Sequence, residues 1–230
     1  MKIAIYDLDN TITSRPTFTH FLLFYAWQAS PIRLVGLPLW ILALIGYHIG
    51  LYDRKTLKQF GVQMFIGRNI GSDTSTKIIA EFADMVITKG LQPGAVAQVR
   101  LDRDSGAFLV LATAAPEFYA QTIGDLLGFQ AVIATRHIMT PDGQLTNRIL
   151  GDNCYADEKL RRIEGWLAQH SIDRKVAHIV FYSDDISDSP TLNFADQAYA
   201  VNPSKKFAEA AVKANWGVMD FRSAGDVTQA

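Results

Sequence analysis

Five short runs of uninterrupted apolar residues set the pattern of this chain of 230 residues. The runs are Ile3 to Tyr6, Ala107 to Ala112, Ala131 to Ala134, Val176 to Tyr182 and Ala198 to Val201. Strands that are buried on both faces have this pattern, whereas strands with one solvated face alternate apolar and polar residues. Helix-like stretches separate several of the runs, among them Glu117 to Leu127 and Asp157 to His170. This alternation predicts an α/β fold with a doubly wound (Rossmann-like) parallel sheet.

Residues 15–90 interrupt the alternation, because they contain no good strand and their apolar residues recur at helical spacing. We therefore predict an all-α cap inserted after the first strand, with helices at 17–29, 32–50, 54–66 and 73–88. The predicted domains are a core of residues 1–14 and 91–222, a helical cap of residues 15–90 and a loose tail of residues 223–230. A small hairpin is predicted around Pro141-Asp142-Gly143.

Charge and cysteine content narrow the classes of function. The formal net charge of -1 leaves no excess of positive charge for a nucleic-acid backbone, so no nucleic-acid partner is expected. The single cysteine, Cys154, fits a reducing compartment. Only four apolar residues lie between Lys2 and Asp7, too few for a secretory signal, so a cytoplasmic location is expected.

Polar residues follow three of the predicted strands. Asp7 and Asp9 follow the first run, Thr113 follows the second, and Asp184 and Asp188 follow the fourth. Because ligands bind at the carboxyl ends of parallel strands, one edge of the sheet would collect these groups, with Lys159 in the first turn of a nearby helix. So many carboxylates in one place require a cation, and oxygen ligands without His or Cys suit Mg²⁺. Such a site is suited to phosphoryl transfer.

These residues resemble a known family. Asp7-x-Asp9-x-Thr11, then Thr113, Lys159 and Asp184-x-x-x-Asp188 are similar to the four motifs of the haloacid dehalogenase superfamily, in the same order along the chain. A helical insertion directly after the first motif resembles the cap of the phosphoserine-phosphatase-like branch. The resemblance covers the core, and it covers the cap by position and helicity alone.

The resemblance implies a role for each motif residue. Asp7 would be the nucleophile and would form an aspartyl-phosphate, and Asp9 would be the general acid and then the base. Thr113 and Ala114 would bind the phosphate and Lys159 would neutralise it. The Mg²⁺ ligands would be the carboxylates of Asp7 and Asp184 with the backbone carbonyl of Asp9, while Asp188 would support the site without touching the metal.

The chain also departs from the family pattern. Ser183 and Asp185 stand where the family usually has glycine, and Ser187 stands where it has asparagine. A metal role for Asp185 is left open. Residues 12–24 contain no acidic residue to hold a substrate ammonium, which argues against phosphoserine as the substrate. The five histidines lack metal-ligand spacing, so no zinc site is expected.

The stretch from Leu34 to Leu51 contains no charged residue over 18 positions, which reaches the lower limit for a membrane span. A single crossing is excluded if the fold is right, because strands before and after the segment share one sheet. Three alternatives stay open: the core of a soluble cap, a surface lying in the lipid interface, or a shallow hairpin with Phe18 to Ala29.

These observations predict a Mg²⁺-dependent phosphomonoester hydrolase with an open substrate. An apolar cap favours an alternative, a lipid-phosphate phosphatase similar to phosphatidylglycerophosphatase on the inner face of the membrane. The partner is therefore a small-molecule or lipid phosphate monoester. A different class is a non-catalytic phospho-accepting or binding domain, such as a signalling receiver. A receiver lacks a long helical insertion after its first strand and carries its phosphorylated Asp later.

Overall fold

The computed structural model describes residues 1–70, 73–142 and 144–223. In chain order the strands are β1 (Lys2–Tyr6), β2 (Asn69–Ile70), β3 (Phe108–Pro116), β4 (Ala131–Thr135), β5 (His137–Met139), β6 (Leu145–Ile149), β7 (His178–Ser183), β8 (Gln197–Val201) and β9 (Gly217–Met219). The helices are α1 (Thr17–Ala29), α2 (Leu37–His48), α3 (Arg54–Phe65), α4 (Asp73–Lys89), α5 (Pro93–Asp104), α6 (Glu117–Leu127), α7 (Asp157–Gln169), α8 (Ser189–Phe194) and α9 (Lys205–Ala214).

Within the described residues, six strands form one sheet in the order β4-β3-β1-β7-β8-β9. All the neighbouring pairs are parallel. The chain winds outward from β1 in one direction through β3 and β4 and then in the other through β7, β8 and β9. The predicted doubly wound parallel sheet is therefore confirmed. The short strand β9 had not been predicted.

Alternate residues of the central strands face two separate clusters of buried residues. Ala4 and Tyr6 of β1 pack in the cluster that includes residues of α5, α6 and the inserted helices. Ile3 and Ile5 pack in the cluster that includes residues of α7, α8 and α9. Helices thus cover both faces of the sheet, which is why its strands read as continuous apolar runs.

Helices α1 to α4 lie between β1 and α5, as the helical spacing of the apolar residues predicted. The predicted helix 32–50 is divided into a 3₁₀ segment, Pro31–Gly36, and α2. Pro38 lies in the first turn of α2, where the missing backbone N–H costs nothing, so α2 begins there. The insertion also contains the two-residue strand β2, which sequence spacing did not predict. The division into core, cap and tail stays a prediction.

A second, smaller sheet has the order β2-β6-β5. The antiparallel pair β5 and β6 confirms the hairpin predicted around Pro141-Asp142-Gly143, although Gly143 itself lies outside the described residues. Strand β2 joins this hairpin, with Ile70 opposite Leu145, and so ties the inserted helices to the core. The predicted loose tail, beyond Ser223, also lies outside the described residues.

Helix α2 exposes most of its apolar surface. Trp40, Ala43 and Gly46 are buried, and Trp40 packs edge-on against Phe65 of α3. The apolar side chains exposed along the segment are Ile32, Val35, Leu37, Leu39, Ile41, Leu42, Ile45, Ile49 and Leu51. The helical stretch Pro31–His48 has a mean hydropathy of 1.4 and is long enough to cross a membrane. Only 17% of this 18-residue stretch is buried. Most of this stretch is therefore exposed in the described structure, and the choice among the three alternatives stays a prediction.

Candidate active site

Three neighbouring strands end at one cavity. Strand β1 lies between β3 and β7, so the residues at their carboxyl ends meet at one edge of the sheet. The cavity has a volume of about 180 Å³. It is lined by all seven residues that the sequence predicts for the site: Asp7, Asp9, Thr113, Ala114, Lys159, Asp184 and Asp188. The structure brings the predicted residues together. Their individual roles stay predictions.

Lys159 is the buried cation of the cavity. Its Nζ lies 2.8 Å from Asp7 Oδ1 and 2.5 Å from Asp188 Oδ2. Burial alone would lower the pKa of Lys159, but the carboxylates of Asp188 and Asp7 raise it above its ordinary value. The ammonium is therefore charged at neutral pH and links the first motif to the last.

Asp7 is less well compensated. Burial raises the pKa of Asp7 well above its ordinary value, and Asp188 and Asp184 add to the rise, while Lys159 opposes it. Burial, with the neighbouring Asp185 charge, likewise raises the pKa of Asp184 to about 6, against a hydrogen bond from Thr11. Both carboxylates would thus be stabilised by another positive charge in the cavity.

The residues of the cavity fit a hard divalent cation. Five carboxylates line the cavity with two cationic side chains, Lys159 and Arg54. Asp188 Oδ1 is buried and has no hydrogen-bond partner in the described part of the chain. Although five carboxylates line the cavity, no three His, Cys, Asp or Glu side chains of the described residues are arranged so that they alone could hold a metal ion. Mg²⁺ is typically bound by one or two carboxylates with waters and substrate phosphate, so the set of oxygens suits it.

Asp9 is oriented by the start of α1. Its Oδ1 accepts hydrogen bonds of 2.7 Å from both the backbone N–H and the hydroxyl of Thr17. The loop that carries Asp9 is fixed from the other side by Gln92, whose amide donates to the carbonyls of Asn10 and Thr11. The hydroxyl of Thr11 donates to Asp184 Oδ1 at 3.1 Å, which joins this loop to the end of β7.

Thr113 and Ala114 lie in β3 where its pairing with β4 becomes irregular. Thr113 is fully buried, and its Oγ1 accepts a hydrogen bond from the backbone N–H of Ala115 at 3.0 Å. The hydroxyl proton therefore stays available to a ligand in the cavity. The Ala114 carbonyl points away to other partners, accepting from Thr135 Oγ1 at 2.7 Å.

Asp185 caps a short turn. Its Oδ1 accepts a hydrogen bond from the backbone N–H of Ser187 at 2.8 Å, and the side chain lines the cavity. Ser183 has a clear partner as well, because its hydroxyl donates to Asp188 Oδ2 at 2.7 Å. Asp185 and Ser183, which stand where the family usually has glycine, therefore form hydrogen bonds with other residues of the last motif.

Sequence reasoning missed Arg54 and Tyr155, which also line the cavity. Arg54 begins α3, and its guanidinium carbon lies 3.8 Å from the centre of the Tyr155 ring. Its Nε donates to the hydroxyl of Tyr47 on α2 at 3.2 Å. Within the described residues, Arg54 forms no ion pair, so this cation is available to an anion in the cavity.

Lys58 lies one turn after Arg54 and is also buried. Its Nζ donates to the Ala114 carbonyl and, at 2.7 Å, to Asn153 Oδ1. Burial, with the nearby Arg54 charge, lowers the pKa of Lys58 to about 7. The i, i+4 spacing of Arg54 and Lys58 indicates that both lie on one face of α3. The spacing does not indicate that this face packs against the core.

Comparison with known proteins identifies the family of this chain. The model of the haloacid dehalogenase-like hydrolase family matches residues 4–193. Protein CicA of Caulobacter vibrioides is 29% identical over 197 residues, which cover 85% of this chain and 83% of that protein. A phosphoserine phosphatase of Mycobacterium tuberculosis is 27% identical over 144 residues, which cover 63% of this chain and 46% of that protein.

A solved structure is similar over almost the whole fold. A protein of unknown function from Bordetella pertussis Tohama I superposes with a TM-score of 0.85 at 26% sequence identity. The match covers 96% of this chain and 98% of that chain, so it includes the inserted helices as well as the sheet.

Proposed function

This chain belongs to the haloacid dehalogenase-like hydrolases, a family in which its relatives include phosphatases, and from that premise we propose that it hydrolyses phosphate monoesters through an aspartyl-phosphate on Asp7. The observation that carries the proposal is the pairing of Asp7 with Lys159 in a cavity that Asp9 also lines. A nucleophile, a proton carrier and a fixed cation are the parts that covalent phosphoryl transfer requires.

In the first step the Asp7 carboxylate attacks phosphorus, and the bond from phosphorus to the alcohol oxygen breaks. Asp9 gives its proton to the leaving alkoxide, so the alcohol departs neutral. In the second step Asp9 takes a proton from water, which attacks the aspartyl-phosphate and releases inorganic phosphate and the Asp7 carboxylate. Each step moves one proton, and the enzyme returns to its first state.

The other residues bind the transferring group. The Thr113 hydroxyl and the Ala114 N–H would donate to phosphate oxygens, and Lys159 would offset their charge while it keeps Asp7 in place. Asp7, Asp184 and the Asp9 carbonyl would hold Mg²⁺, which is typical of the family. When bound, the ion would neutralise negative charge on the carboxylates and the phosphate.

The test is release of phosphate from p-nitrophenyl phosphate with and without Mg²⁺. We expect Asp7→Asn to lower kcat by about 1000-fold or more, because an amide is not a nucleophile. The exposed Asp104→Asn serves as the matched control and should leave kcat unchanged. Unchanged turnover in Asp7→Asn, in folded protein, would contradict the mechanism. A chain without turnover on any ester would favour the non-catalytic class.

A second candidate function is favoured by the exposed apolar face of α2. We propose as the alternative that the chain is a lipid-phosphate phosphatase, peripheral on the cytoplasmic face of a membrane. The cap residues that line the cavity, Pro16 and Arg54, include no acid for the ammonium of phosphoserine. An exposed apolar face on the helical insertion that also supplies Arg54 to the cavity suits a phosphate carried on a lipid.

Substrate comparison separates the two candidates. Phosphoserine and histidinol phosphate would be assayed in solution, and phosphatidylglycerophosphate and phosphatidate in mixed micelles, all with Mg²⁺. If the lipid alternative holds, we expect kcat/KM for a lipid to exceed that for either soluble ester by about tenfold or more. A preference for a soluble ester would contradict it and leave the phosphomonoesterase proposal in place.

A further inference from the structure

A groove of about 530 Å³ lies between α1 and α4, on the far side of the segment 13–17 from the catalytic cavity. We call it the α1–α4 groove. It shares no lining residue with the catalytic cavity, so it is a separate feature of the described structure. Its volume falls in the range of small-molecule sites, which is about 300–1,000 Å³.

The groove combines an apolar floor with a cationic rim. The apolar part of the lining consists of Leu23 and Phe24 of α1 and Phe82, Met85 and Val86 of α4. The polar groups on the rim and wall are Thr13, Ser14, Arg15, Thr17, His20 and Lys89. This pairing of an apolar floor with a few polar groups is the usual composition of a ligand site.

The charges on the rim are of one sign. Arg15 and Lys89 are exposed, and neither forms an ion pair with any described residue. No Asp or Glu of the described chain lines the groove. The acids of α4 next to this lining, Glu81 and Asp84, do not themselves line the groove, and Glu81 contacts Gln28 at 2.9 Å and Lys77 at 3.8 Å. The charge of the groove therefore complements an anion.

A thin partition separates the groove from the catalytic cavity. Arg15 and Thr17 line the groove, whereas Pro16 between them lines the cavity. Thr17 donates two hydrogen bonds of 2.7 Å to Asp9 Oδ1. A molecule that packs on Thr17 in the groove therefore touches the residue that orients Asp9.

We propose that the α1–α4 groove binds a small amphipathic anion, with its acidic head group at Arg15 and Lys89 and its apolar body against Phe24 and Met85. We further propose that the bound anion lowers turnover by displacing Thr17, so that Asp9 loses the two hydrogen bonds that position it for proton transfer. The binding site goes beyond the proposed function. The effect on turnover rests on the proposed phosphatase function.

The probe is decanoate, an apolar chain with one carboxylate, and decanol is its neutral counterpart. Isothermal titration calorimetry of the full chain would measure both. We expect decanoate to bind, and Met85→Glu and Lys89→Glu each to weaken it by roughly fivefold or more, since each places a carboxylate beside the anion. The matched controls are Leu42→Glu on the exposed face of α2 and Arg100→Glu on α5, which should bind decanoate as the parent chain does.

The outcomes are distinct. Equal affinity for decanol, or loss of decanoate binding in Leu42→Glu but not in Met85→Glu, would overturn the site. With p-nitrophenyl phosphate, decanoate should lower kcat by about twofold or more without raising KM, because the two cavities share no residue. Binding in the groove with unchanged kcat would overturn the effect on Asp9 alone. If the chain has no phosphatase activity, calorimetry still decides the binding site.

Discussion

Asp188 shows how a buried carboxylate is kept in this fold. It is 2% exposed, and its Oδ2 receives hydrogen bonds from Ser183 at 2.7 Å and from Lys159 at 2.5 Å. A buried charge without such partners costs several kcal/mol. The serine that replaces the usual glycine of the motif thus supplies a second donor, and it leaves Lys159 able to hold Asp7 as well.

Lys58 leads to a prediction about stability and pH. Burial, with the Arg54 charge, lowers its pKa from the ordinary 10.5 to about 7. Between these values the unfolded chain binds more protons than the folded chain, so the contribution of Lys58 to the free energy of unfolding rises with pH. The rise is at most about 1.4 kcal/mol per pH unit, and it is absent below about pH 7.

Urea denaturation of the parent chain and Lys58→Met from pH 6 to pH 9 measures this contribution. We expect the free energy of unfolding of the parent chain, minus that of Lys58→Met, to be constant up to about pH 7 and to increase above it. Lys55→Met, on the same helix but less buried, is the matched control for the loss of one lysine side chain. If the difference between the parent chain and Lys58→Met does not change with pH, the pKa of Lys58 is not lowered and the prediction is wrong.

At the scale of elements, α5 and the C-terminal segment approach each other unusually closely. The Gly94 N–H donates to the Phe221 carbonyl at 2.9 Å, and a Cβ on Gly94 would lie 2.7 Å from Phe221 Cα. That neighbour is backbone and cannot rotate away. Phe221 is 1% exposed and its N–H donates to Asn202 Oδ1, so the segment is anchored between α5 and the loop after β8.

We expect Gly94→Ala to lower the free energy of unfolding by about 1–3 kcal/mol, because either α5 or the C-terminal segment must shift. Gly165→Ala is the matched control. A Cβ on Gly165, in the middle of α7, would meet nothing within 4 Å, and alanine should raise helix stability there by about 0.5–1 kcal/mol. Equal effects of the two changes in thermal or urea unfolding would contradict the close packing.

The elements also show what the sequence was able to predict. Asp7, Thr113 and Asp184 were placed together in advance because each follows a run of apolar residues, and parallel strands end at one edge. The positions of Arg54 and Lys58 in the site were not predictable, since they depend on how α3 docks on the core. Strand β9 was missed because Gly217–Met219 is too short to give a pattern.

At the scale of the whole molecule, apolar surface is distributed unevenly. Leu42 and Ile45 on α2 are 63% and 51% exposed, among nine exposed apolar side chains between residues 32 and 51. No Asp, Glu, Lys or Arg lies between Arg33 and Asp53. Because β1 precedes this segment and its sheet neighbours β3 and β7 follow it, the segment cannot cross a bilayer alone. A group of exposed apolar side chains of this size marks an interaction surface.

A lipid surface suits that face better than water does, so we expect the chain to bind phosphatidylglycerol vesicles in a co-sedimentation assay. Leu42→Glu with Ile45→Glu should weaken binding by about thirtyfold or more, since roughly 2 kcal/mol of apolar burial is lost. The matched control is Leu101→Glu with Leu126→Glu, which changes leucines of similar exposure on α5 and α6 and should leave binding intact. If the chain is instead a dimer in solution that the α2 changes dissociate, the face binds a second copy and the membrane interpretation is wrong.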